Sequence, residues 1–137
     1  MRILALDHGT KRVGVAISDE LKLIAQPLEF IPAEPFDAFL SRLKQLIKDK
    51  HIELILVGMP RNMDGSYGPA AQRTEAFVTA LRNELTVPIK TLDERLTTVQ
   101  AERTLIQAGV KRAKRKLAAD KMAAAVLLQS YLDSLIR

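Results

Sequence analysis

The chain of 137 residues contains no cysteine. That excludes disulfides, thiolate metal sites and a cysteine nucleophile, and it fits a reducing compartment. Aromatic residues make up only 4%, and no stretch interleaves them with basic side chains, so base-by-base reading of a nucleic acid is not expected; recognition of shape or backbone is. No apolar run reaches twenty residues before a charge interrupts it, which leaves no membrane-spanning helix. Met1 to Leu6 is a short apolar stretch ending at Asp7, without a long apolar region or a small-residue cleavage site. Export is therefore not expected, and the chain reads as soluble and cytoplasmic. Acids are fewer than bases, 16 against 21, for a net charge of +5. A polyanionic partner suits that balance, provided that the excess is clustered. The length, with 47% hydrophobic residues, predicts one compact domain over residues 1–137.

The apolar pattern predicts an α/β fold. Arg2 to Asp7 and Arg12 to Ser18 read as two strands joined by the hairpin-sized link His8-Gly9-Thr10-Lys11. Leu23 to Ile31 reads as a third, which Pro27 assigns to an edge or a bulge. Phe36, Phe39, Leu40, Leu43, Leu46 and Ile47 recur at helical spacing between Pro35 and Lys50. Ile52 to Val57 then reads as a buried parallel strand. The segment from Gly58 to Pro69, rich in glycine and proline, reads as a long loop, Ala70 to Leu85 as a helix and Val87 to Leu92 as a fifth strand. Thr97 to Ala108, closed by Gly109, and Leu117 to Ile136 read as two more helices. Three antiparallel strands followed by two parallel ones make a five-stranded mixed sheet flanked by helices, which is the order of a ribonuclease-H-like domain.

Three acids fall where such a sheet brings them to one edge. Asp7 ends the first strand, Glu94 (with Asp93 in reserve) ends the fifth, and Asp120 lies in the first turns of the last helix on the stripe of Ala124, Leu127 and Tyr131. Hard divalent cations such as Mg²⁺ or Mn²⁺ take oxygen ligands, and carboxylates that hold them support hydrolysis of a phosphodiester. Each acid also has a plainer role open to it. Asp7 suits the turn at His8-Gly9, Asp93 or Glu94 suits a pair with Arg95, and Asp120 suits a helix N-terminus.

Cations gather beside these acids. Lys111, Arg112, Lys114, Arg115 and Lys116 precede Asp120 in six residues, Lys11 and Arg12 follow Asp7, and Arg61 sits in the long loop with Tyr67. A phosphate backbone is one partner for them. A solvated linker before the last helix, or a pair with Asp19, is the other reading. His51 and Tyr131 read as structural.

Asp7-His8-Gly9-Thr10-Lys11-Arg12-Val13-Gly14-Val15-Ala16-Ile17-Ser18-Asp19 resembles the opening signature of the YqgF/RuvX family. Gly58-Met59-Pro60 with Asp64-Gly65, Asp93-Glu94-Arg95-Leu96-Thr97-Thr98, and Lys116 to Ala124 resemble its second, third and fourth motifs, in family order along nearly the whole chain. The resemblance implies a fold related to Holliday-junction resolvases of the RuvC type, and a nuclease in ribosome biogenesis that processes the 5′ end of pre-16S ribosomal RNA in the cytoplasm. It also implies that Asp7, Glu94 and Asp120 are the catalytic, metal-binding acids for Mg²⁺ or Mn²⁺. Structured RNA is then the expected partner. Branched DNA, or a non-catalytic nucleic-acid-binding assembly role, is the alternative. One departure is visible: RuvC-like helices carry a second acid one turn after the first, whereas positions 123 and 124 are alanine here. Ala5 also stands where many relatives have glycine. A sugar-kinase or actin-like phosphotransferase, suggested by Asp7-His8-Gly9-Thr10, needs two domains around a cleft, which this length does not provide.

Overall fold

A computed structural model describes residues 1–60, 68–93 and 112–135. Its elements are β1 (Arg2–His8), β2 (Arg12–Ser18), β3 (Ala25–Pro32), α1 (Phe36–Lys50), β4 (Ile52–Met59), α2 (Pro69–Glu84), β5 (Ile89–Asp93) and α3 (Arg112–Ser134). The five strands form one sheet in the order β3-β2-β1-β4-β5. β1 and β2 pair antiparallel, as do β2 and β3, while β4 is parallel to both β1 and β5. The mixed sheet expected from the apolar pattern is therefore present. The expected helix at Thr97 to Ala108 lies outside the described residues.

Strand alternation divides the side chains of β1 between two covered faces. Leu4 and Leu6 join Val13, Val15, Ile55 and Val57 beneath α1 and α2, where Phe39, Leu43, Phe77 and Leu81 close the larger core. Ile3 and Ala5 face the other way and pack with Ala16, Leu56 and the α3 residues Ala124, Leu127, Leu128 and Leu132. Both faces of β1 being covered, its run Ile3 to Leu6 is wholly buried, which is why it reads as a continuous apolar stretch rather than an alternating one. Alanine at 5, 16, 124 and 125 lets α3 lie close on the sheet.

Pro27 accounts for two features at once. β3 is the edge strand, and its register with β2 shifts where Val15 faces Glu29 and Ala16 faces Pro27, so Leu28 is the extra residue of a bulge.

Several boundaries differ from the sequence reading, among them the start of β5 at Ile89 rather than Val87. β3 begins at Ala25, not Leu23, because the Asp19 carboxylate accepts the backbone N–H groups of Leu23 and Ile24 and holds both in the preceding turn. β4 continues through Gly58 and Met59, paired with Leu92 and Asp93, so the connection to α2 is shorter than the composition suggested. α3 begins at Arg112 rather than Leu117; Lys and Arg are good helix formers, and a run of them extends a helix as readily as it solvates a loop. His51, expected to be structural, closes α1 in a left-handed conformation with φ of 55°, and its carbonyl accepts the Arg2 N–H.

Candidate active site

The carboxyl end of β1 carries two neighbouring polar side chains that alternation sends to opposite faces. His8 turns toward α2: its ring stacks on Phe77 at 4.2 Å and 8°, and its Nδ1 lies 3.3 Å from the Thr74 hydroxyl. Burial lowers the His8 pKa from its ordinary value; the Asp7 charge opposes that shift and Arg73 adds to it. The ring, stacked on Phe77 of α2, fixes the strand end and, one residue back, the direction of Asp7.

Asp7 has the parity of Ile3 and Ala5 and so takes the α3 face of the sheet. It is half-buried and lines an open cleft of ≈ 250 Å³ with Gly9, Thr10, Lys11, Arg12, Gly14 and Phe30. The floor is Gly14, the residue paired with Asp7 across β1 and β2. The rim is the hairpin turn, closed by the Gly9 N–H donating to the Arg12 carbonyl at 3.0 Å. Gly9 is required there, because a Cβ on it would meet that carbonyl oxygen at 2.5 Å. The far wall is the Phe30 ring, with the Arg12 guanidinium 4.2 Å from its centroid.

Lys11 and Arg12 thus border the Asp7 cleft, and both are exposed. Asp19 is no partner for them, since it is committed to the β2–β3 turn, where the N–H groups of Ile24 and Leu23 also lower its pKa. Asp93 ends β5 with the parity of Ile89, a residue of the α1/α2 core, and is therefore on the face opposite Asp7. Asp93, the reserve ligand, thus has the strand parity of Ile89 rather than that of Leu92. Glu94, Arg61, Tyr67 and Lys111 lie outside the described residues. Arg112, Lys114, Arg115 and Lys116 belong to the first turns of α3, not to a linker before it. Asp120 is on the same helix, four, seven and eight residues before the sheet-facing Ala124, Leu127 and Leu128. Among the described residues no three His, Asp or Glu side chains group closely enough to hold a metal by themselves.

Sequence reading missed Phe30 and the special status of Gly14. It found no aromatic beside a cation because it read along the chain, whereas Arg12 and Phe30 meet across the β2–β3 pairing, in which Gly14 faces Phe30. The register of the second hairpin was the signal that would have joined them.

A family described as RuvX, Holliday junction resolvase, matches residues 1–134. The chain belongs to the RuvX family. It is 53% identical to a protein of Geobacillus kaustophilus over 136 residues, covering 98% of this chain and 99% of the relative. It is 50% identical to one from Bacillus subtilis over 137 residues, with 98% and 99% covered. Both relatives bear the name "Putative pre-16S rRNA nuclease". Among solved structures, Thermus thermophilus RuvC in complex with a Holliday junction substrate matches with a TM-score of 0.57 at 18% identity, over 99% of this chain and 96% of that one. The fowlpox virus resolvase with its Holliday junction DNA matches with a TM-score of 0.53 at 13% identity over 100% of both chains. At these identities the RuvX chain shares the fold of the resolvases. Among the described residues, no helix is long and apolar enough to cross a membrane.

Proposed function

We propose that this RuvX protein is a cytoplasmic, metal-dependent nuclease, one ribonuclease-H-like domain over residues 1–137, that hydrolyses phosphodiester bonds in structured RNA. The observation that carries the reading is Asp7: a carboxylate at the end of the central strand, in an open cleft bordered by two exposed cations. No hydrogen bond or ion pair engages it among the described residues. A carboxylate so placed has its oxygens available to a hard divalent cation, and Asp7 therefore fits the ligand role.

The geometry of α3 supports Asp120 as its partner. Gln129 accepts the Ala25 N–H at 2.9 Å; Ala25 pairs with Ser18, and the Ser18 hydroxyl accepts the Ile3 N–H at 2.9 Å, so these four residues mark one level across the sheet. Asp7 is four strand residues beyond Ile3, about 13 Å at the usual rise. Asp120 is nine helix residues before Gln129, about 13.5 Å at 1.5 Å each. The two lengths are equal, which supports a placement of Asp120 level with Asp7 if α3 runs back from Gln129 toward that end of the sheet. Glu94 follows Leu92, which packs on the α3 side, by two residues. Asp7, Glu94 and Asp120 are the proposed ligands of Mg²⁺ or Mn²⁺. A bound cation of this kind activates water and stabilises the leaving oxygen. The protein's own part is to orient the acids from a rigid strand and helix, and to neutralise the substrate with Lys11, Arg12, Arg61, Lys111, Arg112, Lys114, Arg115 and Lys116.

Pre-16S ribosomal RNA is the favoured substrate, because relatives about half identical over nearly the full chain carry that name. A Holliday junction is the second reading, favoured by the family description. Cleavage of a precursor ribosomal RNA and of a four-way DNA junction, side by side with Mg²⁺ and with Mn²⁺, tests both. Metal-dependent cleavage of the precursor near the 5′ end of the mature RNA supports the first; cleavage of the junction alone replaces it with the second.

A further inference from the structure

We propose that Phe30 is a positioning residue for phosphate recognition, acting through Arg12, a role that rests on the reading of the Asp7 cleft as a nuclease site. Arg12 is exposed at the start of β2, where a long side chain ordinarily samples many rotamers and must give them up when it binds. Here the guanidinium lies over the Phe30 ring, 4.2 Å from ring centroid to Cζ, well inside the range of a cation–π contact. A guanidinium held over a ring by this contact still has N–H groups to donate, and their edge is the part that matches a phosphate. Among the described residues no carboxylate engages Arg12, so the edge is available to a ligand. Phe30 itself is held by its pairing with Gly14, beside Asp7.

Four residues from three strands therefore make one device. Asp7 supplies the carboxylate, Gly14 leaves the floor bare, and Phe30 holds Arg12 at the opposite wall. A phosphodiester entering the cleft meets a pre-set donor fork rather than a freely moving cation. The cleft, at ≈ 250 Å³, is smaller than pockets that enclose a drug-sized ligand; it suits one sugar-phosphate unit and reads no base, in keeping with recognition of backbone.

Binding of a fluorescein-labelled RNA stem-loop with a single-stranded 5′ extension, followed by anisotropy across a salt series without added divalent cation, tests the role. Phe30→Leu weakens binding about two- to five-fold, the range of an exposed cation–π contact, and Phe30→Tyr restores it. Arg12→Ala weakens binding and lowers the salt slope by about one unit. In the Arg12→Ala background Phe30→Leu has no further effect. Arg12→Lys, which leaves the ring and its packing untouched, keeps the charge but loses affinity and sensitivity to Phe30→Leu. A Phe30→Leu loss that is equal in the two Arg12 backgrounds overturns the proposal, since the ring would then act without the guanidinium. Wild-type protein that fails to bind the RNA at low salt overturns the nuclease reading together with it.

Discussion

Asp7 and Gly14 face each other across β1 and β2, and a Cβ added at Gly14 would sit 3.7 Å from the Asp7 Cβ and 3.4 Å from the Phe30 ring. Both are ordinary contacts, so alanine fits there without displacing either neighbour. Glycine inside a strand costs roughly 0.5–1 kcal/mol relative to alanine, and Gly14→Ala is expected to unfold at the same temperature as wild type or slightly above it. Cleavage is expected to fall about tenfold or more, because the new methyl group occupies the floor on which the substrate must approach Asp7 and small displacements of reacting groups are costly. Thermal unfolding and cleavage rate on the same preparations check this. Full activity in Gly14→Ala would mean that the scissile strand does not cross the floor.

Asp7→Asn separates chemistry from affinity. The amide keeps the size of the side chain and its place on β1 but loses the charge that a divalent cation requires, so metal-dependent cleavage is expected to disappear. Nucleic-acid affinity, which the cations supply, is expected to stay within a few-fold. Chelation of divalent ions from the wild-type protein should have the same two consequences. Unchanged turnover by Asp7→Asn, in a preparation shown free of contaminating nuclease, would remove Asp7 from the reaction.

How far the sequence could be read follows from where the information lies. The order of the sheet was legible because burial writes itself into apolar runs and alternation, and Pro27 called for an edge or a bulge, of which β3 has both. Helix α3 was legible from Leu117 onward, where Ala124, Leu127 and Leu128 repeat at helical spacing, but not at Arg112 to Lys116, where charge has no period and the helix simply continues. Asp7 stood out as a lone acid closing an apolar strand. Phe30 did not, since its importance comes from a partner eighteen residues earlier that only strand pairing brings near. The choice between Asp93 and Glu94 is open in sequence, because alternation sends the two to opposite faces and nothing in the apolar pattern says which face holds the site.

Asp19 gives the protein a defined acid sensitivity away from the cleft. Its carboxylate accepts the N–H groups of Leu23 at 2.8 Å and Ile24 at 3.0 Å, and these lower its pKa below the ordinary 3.8. Because the folded pKa is the lower one, the unfolded chain binds the proton more readily. The stabilisation is therefore complete above about pH 4 and is lost as the pH falls through the folded value. Asp19→Ala is expected to be less stable than wild type at pH 7, and the gap in denaturant midpoint should narrow below pH 4. A gap that is the same at pH 7 and at pH 3 would show that the charge of Asp19 contributes nothing to the turn.

The basic end of α3 separates a phosphate-binding face from a merely solvated one. Arg112, Lys116 and Asp120 follow one another at intervals of four and form a single row along the helix. If phosphates are led along the helix toward Asp120, that row does it. Arg112→Ala with Lys116→Ala is then expected to weaken binding alike for all sequences and to flatten the salt dependence by about two units, one for each lost contact. Folding should hardly change, since alanine is the best helix former. Arg115→Ala, off that row, supplies the comparison. Affinity measured from low to moderate salt for wild type, the double variant and Arg115→Ala decides the matter. Identical slopes in all three would leave the helix cations solvated and shift phosphate recognition to Lys11, Arg12 and Arg61.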